Sequence, residues 1–333
     1  MTRWRAGAKS KLLAVKLLAV SQITSSSQPS KRKQLFGPFG FFVGQSLRSD
    51  APHFYRIIQE LGTGKSANAY LALRTSSQNA GTFCVLKLLL DPLDEIRKRR
   101  FIRERDIIMA LNHDSVVRYV DRGTFHNRRS KGRGLEHPFY VCDFYSKTLS
   151  ASMIDRRLKI TQKLSYAIQL SSAVAYLESC GLVHCDIKPD NIYVDGLKCV
   201  LADFGLCLKA GESSKFVDLP SLHCYRTPHI VKAMQTGAPV HQKSDVFQLG
   251  LVLCELFTGR NPCIEAENGA TEVRLDEIPD VYGVLGSKIK QLVEKMLVPG
   301  DEDRPAASQL IDNWQTILFD AYPRMLALDK NVF

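Results

Sequence analysis

The sequence predicts an α+β fold with its strands gathered in the first half and its helices in the second. Three observations carry that prediction. Between Phe54 and Phe144 the apolar residues come in runs of strand length: Phe54–Leu61, Ala69–Leu73, Thr82–Leu89, Val116–Phe125 and Phe139–Phe144. From Tyr145 onward they recur at helical spacing, over Thr161–Ser179, Lys243–Thr258, Ser287–Leu297 and Ala306–Leu318. In the first half one stretch, Leu93–Leu111, has the helical period, through Ile96, Phe101, Ile107, Ile108 and Leu111. Strands first and helices afterwards imply two lobes, with the seam at Asp143–Ser146.

Ahead of the first strand lies a leader, residues 1–49. It holds nine Lys or Arg and no acid, so it accounts for all but two of the chain's eleven net positive charges. The folded part is therefore nearly balanced and is expected not to bind nucleic acid. The leader carries a tandem Lys-Leu-Leu-Ala-Val (11–15, 16–20), a Ser-rich stretch and Lys31-Arg32-Lys33. Such a composition fits a mitochondrial transit peptide, a helix lying on anionic membrane, a nuclear address or a solvated, disordered extension. Residues 50–143 then form the first lobe and 144–333 the second. Between two strand-like runs, Asn127–His137 contains Arg-Arg-Ser-Lys-Gly-Arg-Gly and reads as a solvated hairpin loop.

The nine cysteines are scattered, odd in number and free of any Cys-x-x-Cys pair, which argues against a disulfide framework or a zinc site. They read as small core residues in a reducing, cytoplasmic setting. No apolar run approaches the length of a membrane-spanning helix.

The densest chemical signal is His184-Cys185-Asp186-Ile187-Lys188-Pro189-Asp190-Asn191, followed at loop distance by Asp203-Phe204-Gly205. An Asp, a Lys two residues on and an Asn three beyond that suit phosphoryl transfer from Mg-ATP. The Asp takes the acceptor's hydroxyl proton, the Lys steadies the moving phosphate, and the Asn with a second Asp holds metal. With these motifs the chain resembles the eukaryotic-type protein kinases, over about residues 54–318.

The resemblance implies a bilobal kinase fold: a small antiparallel sheet with one helix, then a mainly helical lobe, with ATP between them. Gly62-Thr63-Gly64-Lys65-Ser66-Ala67 takes the place of the glycine-rich phosphate loop, with Ala67 where a third glycine is usual. A Walker A reading fails, because Gln59 stands where that motif needs glycine. Cys84-Val85-Leu86-Lys87 resembles the Val-Ala-Ile-Lys strand. A Lys in an apolar strand needs a partner, and the resemblance supplies Glu104 on the following helix. By the same register Cys142 lies at the back of the adenine pocket and Asp143–Tyr145 form the interlobe strand. The implied nucleotide contacts are Leu61, Gly62, Thr63, Gly64, Lys65, Ser66, Ala69, Val85, Lys87, Cys142, Asp143, Tyr145 and Tyr193. Asp186, Lys188, Lys87 and Glu104 are the implied catalytic set, and Asn191 and Asp203 the implied ligands of Mg²⁺ or Mn²⁺. Asp245-Val246-Phe247-Gln248-Leu249-Gly250 resembles the family's Asp-x-Trp-x-x-Gly, where Asp245 would accept backbone hydrogen bonds from the catalytic loop.

The chain departs from the family at three places. Cys185 replaces the Arg that grips a phosphorylated activation loop, and Cys cannot form a bidentate pair with phosphate. Leu222 stands where the substrate-binding turn has Thr. Ala-Pro-Glu appears as Thr227-Pro228-His229, which removes the Glu that pairs with a buried Arg, here Arg304. Arg304 is thus expected to have found another acid or to reach water. The expected activity is transfer of the γ-phosphate of ATP to Ser or Thr of protein substrates, independent of activation-loop phosphorylation and open to a regulatory partner. The alternative is a pseudokinase, an ATP-binding scaffold. Cys185 is either a small buried filler or an oxidation sensor.

Overall fold

A computed structural model describes residues 35–36, 41–63, 67–76, 79–127, 135–155, 158–212, 225, 227, 230, 236–265, 271–273, 275 and 283–328. The chain divides into two compact units, Met1–Arg105 with Tyr119–Ser146, and Asp106–Arg118 with Lys147–Phe333.

The first unit is built on strands β1 (Leu35–Phe36), β2 (Phe41–Phe42), β3 (Ser46–Arg48), β4 (Phe54–Thr63), β5 (Ala67–Ser76), β6 (Asn79–Leu89), β7 (Tyr119–Asn127) and β8 (Leu135–Asp143). β1 and β2 pair with each other, and the other six form one antiparallel sheet in the order β3-β4-β5-β6-β8-β7. Side chains alternate across such a sheet, and one face carries the core: Leu47, Tyr55, Ile57, Tyr70, Ala72, Cys84, Leu86, Leu88, Phe139 and Val141. Helix α1 (Glu95–Ala110) follows β6. Asp94 starts it, its Oδ1 accepting the N–H of Ile96 and of Arg97 at 3.0 Å each.

Three expectations are corrected here. The folded unit begins before residue 49, because Ser46–Arg48 pairs with β4 and Leu47 is buried in the core. The leader's lack of acids extends across this edge strand and hides it. His137 belongs to no solvated loop. It pairs with Phe125 across the β7–β8 ladder, is fully buried, and shares a 3.0 Å hydrogen bond through Nδ1 with the Leu89 carbonyl. The Arg- and Gly-rich part of that segment, 128–134, lies outside the described residues. Finally, Val116 is not part of β7. It bridges Leu201 in the second unit, where the Val117 N–H also donates to the Leu201 carbonyl.

The second unit contains α2 (Leu149–Ile154), α3 (Ile160–Ser179), β9 (Leu182–Val183), β10 (Ile192–Asp195), β11 (Lys198–Leu201), β12 (Leu208–Lys209), α4 (Ser244–Thr258), β13 (Cys263–Glu265), β14 (Thr271–Val273), α5 (Val284–Met296) and α6 (Ala307–Leu328). β9 pairs with β12 and β10 with β11, both antiparallel. The middle of the unit is α4, apolar on nearly every side and buried through almost its whole length. Gly250 lets the end of α5 approach it, since a Cβ there would lie 2.9 Å from Leu297. Gly259, at φ +79°, ends α4 in the left-handed conformation and returns its N–H to the Glu255 carbonyl. Trp314 of α6 stacks on Phe257 at 5.7 Å.

Arg304, just before α6, is 2 % exposed, and its acid is Asp301, three residues earlier. Its other donors reach the carbonyls of Val298, Lys243 and Pro299 at 2.9, 3.1 and 2.9 Å.

Candidate active site

In the first unit the sheet register gathers the residues expected to meet a nucleotide. Ala69, Lys87 and Tyr140 form one cross-strand row, and Leu71, Val85 and Cys142 the next. These rows lie on the face opposite the core face, so Ala69, Val85, Lys87 and Cys142 share one surface. Gly62 pairs with Ala69 after a bulge, and a Cβ on it would meet nothing within 4 Å. The protein's own packing therefore does not demand glycine there. The bareness leaves the backbone open to a phosphate oxygen. Leu61 and Thr63 are exposed beside it, and Asp143 pairs with Cys84 next to half-buried Tyr145. Gly64, Lys65 and Ser66 lie outside the described residues. Ala67 opens β5 opposite Leu89 and has no positive φ, so replacing the third glycine brings no strain.

Lys87 Nζ lies 2.7 Å from Glu104 Oε1, with the Glu side chain 10 % exposed. The geometry of α1 explains why this acid turns inward. Phe101, one turn earlier on the same face, packs its ring at 5.2 Å on Tyr140. Lys87 Nζ in turn sits 6.0 Å from the centre of the Tyr140 ring. Burial pushes the Cys142 and Cys84 thiols up to about 12, so neither is a nucleophile at neutral pH.

In the second unit β9 delivers the chain into the loop His184–Asn191, which closes in a 3₁₀ turn, Pro189–Asn191. His184 is fully buried, and burial holds its imidazole below the ordinary range. Its Nε2 is 3.2 Å from the Ala202 carbonyl, which can only accept, so the proton sits on Nε2. Nδ1 is left to accept the Asp186 N–H at 3.3 Å. Cys185 has φ +65° and Asp203 φ +68°, the only described non-glycine residues with positive φ. Such conformations persist only where surroundings over-determine them. Asp245 of α4 supplies part of that support, its two oxygens accepting the N–H groups of His184 and Cys185 at 2.6 and 3.0 Å. Burial pushes the Asp245 carboxyl up to about 7, opposed by those two N–H groups.

Asp186 is the focus of the loop. Its Oδ2 accepts from Lys188 Nζ at 2.6 Å and from Asn191 Nδ2 at 2.8 Å, and Asn191 also donates to the Asp186 carbonyl at 2.8 Å. Among the described residues nothing hydrogen-bonds Oδ1. One oxygen is fully committed and the other is open to an incoming hydroxyl. Asn191 spends its amide nitrogen on Asp186, which leaves its own oxygen for a cation. Asp203 stands exposed, with the Ala202 N–H before it bound to the Asn191 carbonyl at 2.9 Å. Two protein oxygen ligands completed by phosphate and water are the kind of site Mg²⁺ takes. The described residues hold no cluster of three or more His, Cys, Asp or Glu fit for a metal. Tyr193 lies half-buried on β10, opposite Val200. Leu222 and His229 lie outside the described residues.

Sequence reasoning missed two residues. Gln248 hydrogen-bonds the loop from α4. Its one signal is being the only amide in the apolar stretch Val246–Cys254. Tyr140 underlies the Lys87–Glu104 pair, and only the strand register could have found it.

A family model described as "Protein kinase domain" matches residues 55–314. Among curated proteins of Arabidopsis thaliana, the chain is 25 % identical over 257 residues to "Serine/threonine-protein kinase RUNKEL", covering 75 % of this chain and 17 % of that protein. It is 24 % identical over 263 residues to "Mitogen-activated protein kinase kinase kinase 17", covering 76 % and 67 %. It is 27 % identical over 268 residues to "Mitogen-activated protein kinase kinase kinase 3", covering 76 % and 44 %. The chain thus spans between about a sixth and two thirds of the length of these relatives.

Proposed function

Because the chain belongs to the protein kinase family, we propose that it is an active enzyme transferring the γ-phosphate of ATP to Ser or Thr hydroxyls of protein substrates. One observation carries this reading: Asp186 has Oδ2 held by Lys188 and Asn191 and Oδ1 open. A carboxylate so fixed orients an acceptor hydroxyl and takes its proton as the bond to the γ-phosphorus forms and the bond from that phosphorus to the bridging oxygen breaks, releasing ADP. Phosphoryl transfer has a loose transition state, so orientation and charge neutralisation do most of the work. Lys188 turns from Asp186 to the transferring phosphate. Lys87, held by Glu104, takes the phosphates nearer the nucleoside. Mg²⁺ or Mn²⁺ supplies charge neutralisation on the phosphate oxygens, and Asn191 and Asp203 are the residues that would hold it. The Ser/Thr preference draws on Lys188 and on the Ser/Thr kinase named among the relatives.

Independence from activation-loop phosphorylation belongs to the same reading. The Cys185 side chain is buried with Val183, Leu208, Ile230 and Val240, an aliphatic setting unsuited to phosphate. Ala67, Cys185 and His229 are the features that favour a non-transferring scaffold instead. Incubation with γ-labelled ATP, Mg²⁺ and generic protein acceptors, followed by phosphoamino-acid analysis, tests the assignment. Phosphoserine or phosphothreonine is expected. Label on tyrosine would refute the Ser/Thr assignment, and no label would favour the scaffold.

A further inference from the structure

Gln248 is 1 % exposed, and each of its polar atoms is used. Oε1 accepts the Ile187 N–H at 3.1 Å, while Nε2 donates to the Cys185 carbonyl at 3.2 Å and to the Tyr225 carbonyl at 2.9 Å. The first two partners flank Asp186 in the chain. The third belongs to the segment between Asp203-Phe204-Gly205 and Thr227-Pro228. Tyr225 is held at its other end as well, where its hydroxyl donates to Glu255, two turns further along α4. A single helix therefore carries the catalytic loop and this part of the activation segment.

The strain at Cys185 gives the arrangement its meaning. A non-glycine residue at φ +65° must be clamped from outside. Asp245 takes its N–H and Gln248 takes its carbonyl, so the backbone leading into Asp186 is fixed on both sides. In relatives with Arg at this position, the cation joins loop to segment when a phosphate arrives. The Cys185 side chain is buried among aliphatic residues and cannot make that contact.

We propose that Gln248 is a positioning residue for phosphoryl transfer. Its amide is a neutral staple between the catalytic loop at Cys185–Ile187 and the activation segment at Tyr225, holding both in place without phosphorylation. The inference rests on the kinase reading above. A saturated buried amide suits this role, because removing it strands two carbonyls and one N–H away from water.

The test compares wild type, treated or untreated with phosphatase, with Gln248→Met and Gln248→Glu. Met keeps the length and loses the amide. Glu keeps an acceptor for Ile187 and sets a carboxylate against two carbonyl oxygens. Measurements are kcat, KM for ATP and hydrogen exchange of the Ile187 amide, all well below the melting temperature. Phosphatase-treated wild type should keep its kcat. Gln248→Met should lose roughly tenfold or more in kcat, with KM for ATP within about twofold and faster Ile187 exchange, and Gln248→Glu should be slower still. A residue that only filled space would lower the melting temperature and leave kcat unchanged. If Met fails to fold, the Glu variant carries the same comparison. An unchanged kcat or unchanged Ile187 exchange in a folded variant overturns the inference while the enzyme stands, and loss of activity on phosphatase treatment overturns it equally. Wild type that labels no acceptor overturns the kinase reading itself.

Discussion

Arg304 and Asp301 form a buried ion pair three residues apart, and the guanidinium lies 4.7 Å over the ring of Phe247 from α4. The Ala-Pro-Glu acid is replaced by His229, yet the arginine is fully served by Asp301 and three backbone carbonyls. A local acid has taken over the role of a distant one.

Arg304→Ala is therefore expected to be severe. It leaves Asp301 buried without its partner, which costs about 3–5 kcal/mol. At about 2–4 °C per kcal/mol for a domain of this size, the melting temperature should fall by roughly 10 °C. Arg304→Lys should recover little, since an ammonium cannot reach four acceptors in a planar fork. Differential scanning calorimetry of both variants checks this, and a loss of only a degree or two with Ala would contradict it.

Tyr140 supports the Lys87–Glu104 pair through its ring. Among the described residues its hydroxyl makes no hydrogen bond within ordinary limits, and burial with the nearby Glu104 carboxylate pushes it well above the usual phenol range. Tyr140→Phe should accordingly leave KM for ATP within about twofold and stability unchanged or slightly improved. Tyr140→Ala opens a cavity costing about 3–5 kcal/mol and frees Phe101 and Lys87, so KM for ATP should rise. Steady-state kinetics with both variants decides the matter. A damaging Phe variant would mean that the hydroxyl, not the ring, is what counts.

These two cases show where the sequence is legible. The short apolar runs of β4 to β8 are legible because strand patterning is local, and the resemblance of Cys84–Lys87 and His184–Asn191 to kinase motifs is what marks Lys87, Glu104, Asp186 and Asn191. Asp245 could be expected for the same reason. Gln248 could not, since a mid-helix glutamine more often faces solvent, and burial of α4 on all sides depends on α3, α5 and α6. Asp301 likewise sits in an acid-rich turn, Asp301-Glu302-Asp303, where one carboxylate among three looks like a turn former. The edge strand Ser46–Arg48 is disguised by the basic leader that runs into it.

The catalytic loop should also report on acid. Both nitrogens of His184 are engaged and burial disfavours its cation, so its folded pKa lies below the unfolded value of about 6.5. The sign follows from this. Below about pH 6.5 the unfolded chain takes up a proton that the folded loop refuses, and stability drawn from this residue declines as pH falls. Protonated Nδ1 also could not accept the Asp186 N–H. Imidazole NMR should show His184 titrating below the ordinary range, with Asp186 amide protection lost as it does so. Titration at or above about 6.5 with protection intact would contradict the assigned hydrogen bonds.

Asp186 is the residue proposed to orient the acceptor, and one paired measurement decides its role. Wild type and Asp186→Ala are assayed side by side for nucleotide binding and for transfer of labelled γ-phosphate to protein acceptors. The two proteins should bind ATP comparably, while the variant loses about a hundredfold or more of the transfer rate. Equal incorporation by both, or none above background from wild type with ATP bound, would contradict the account.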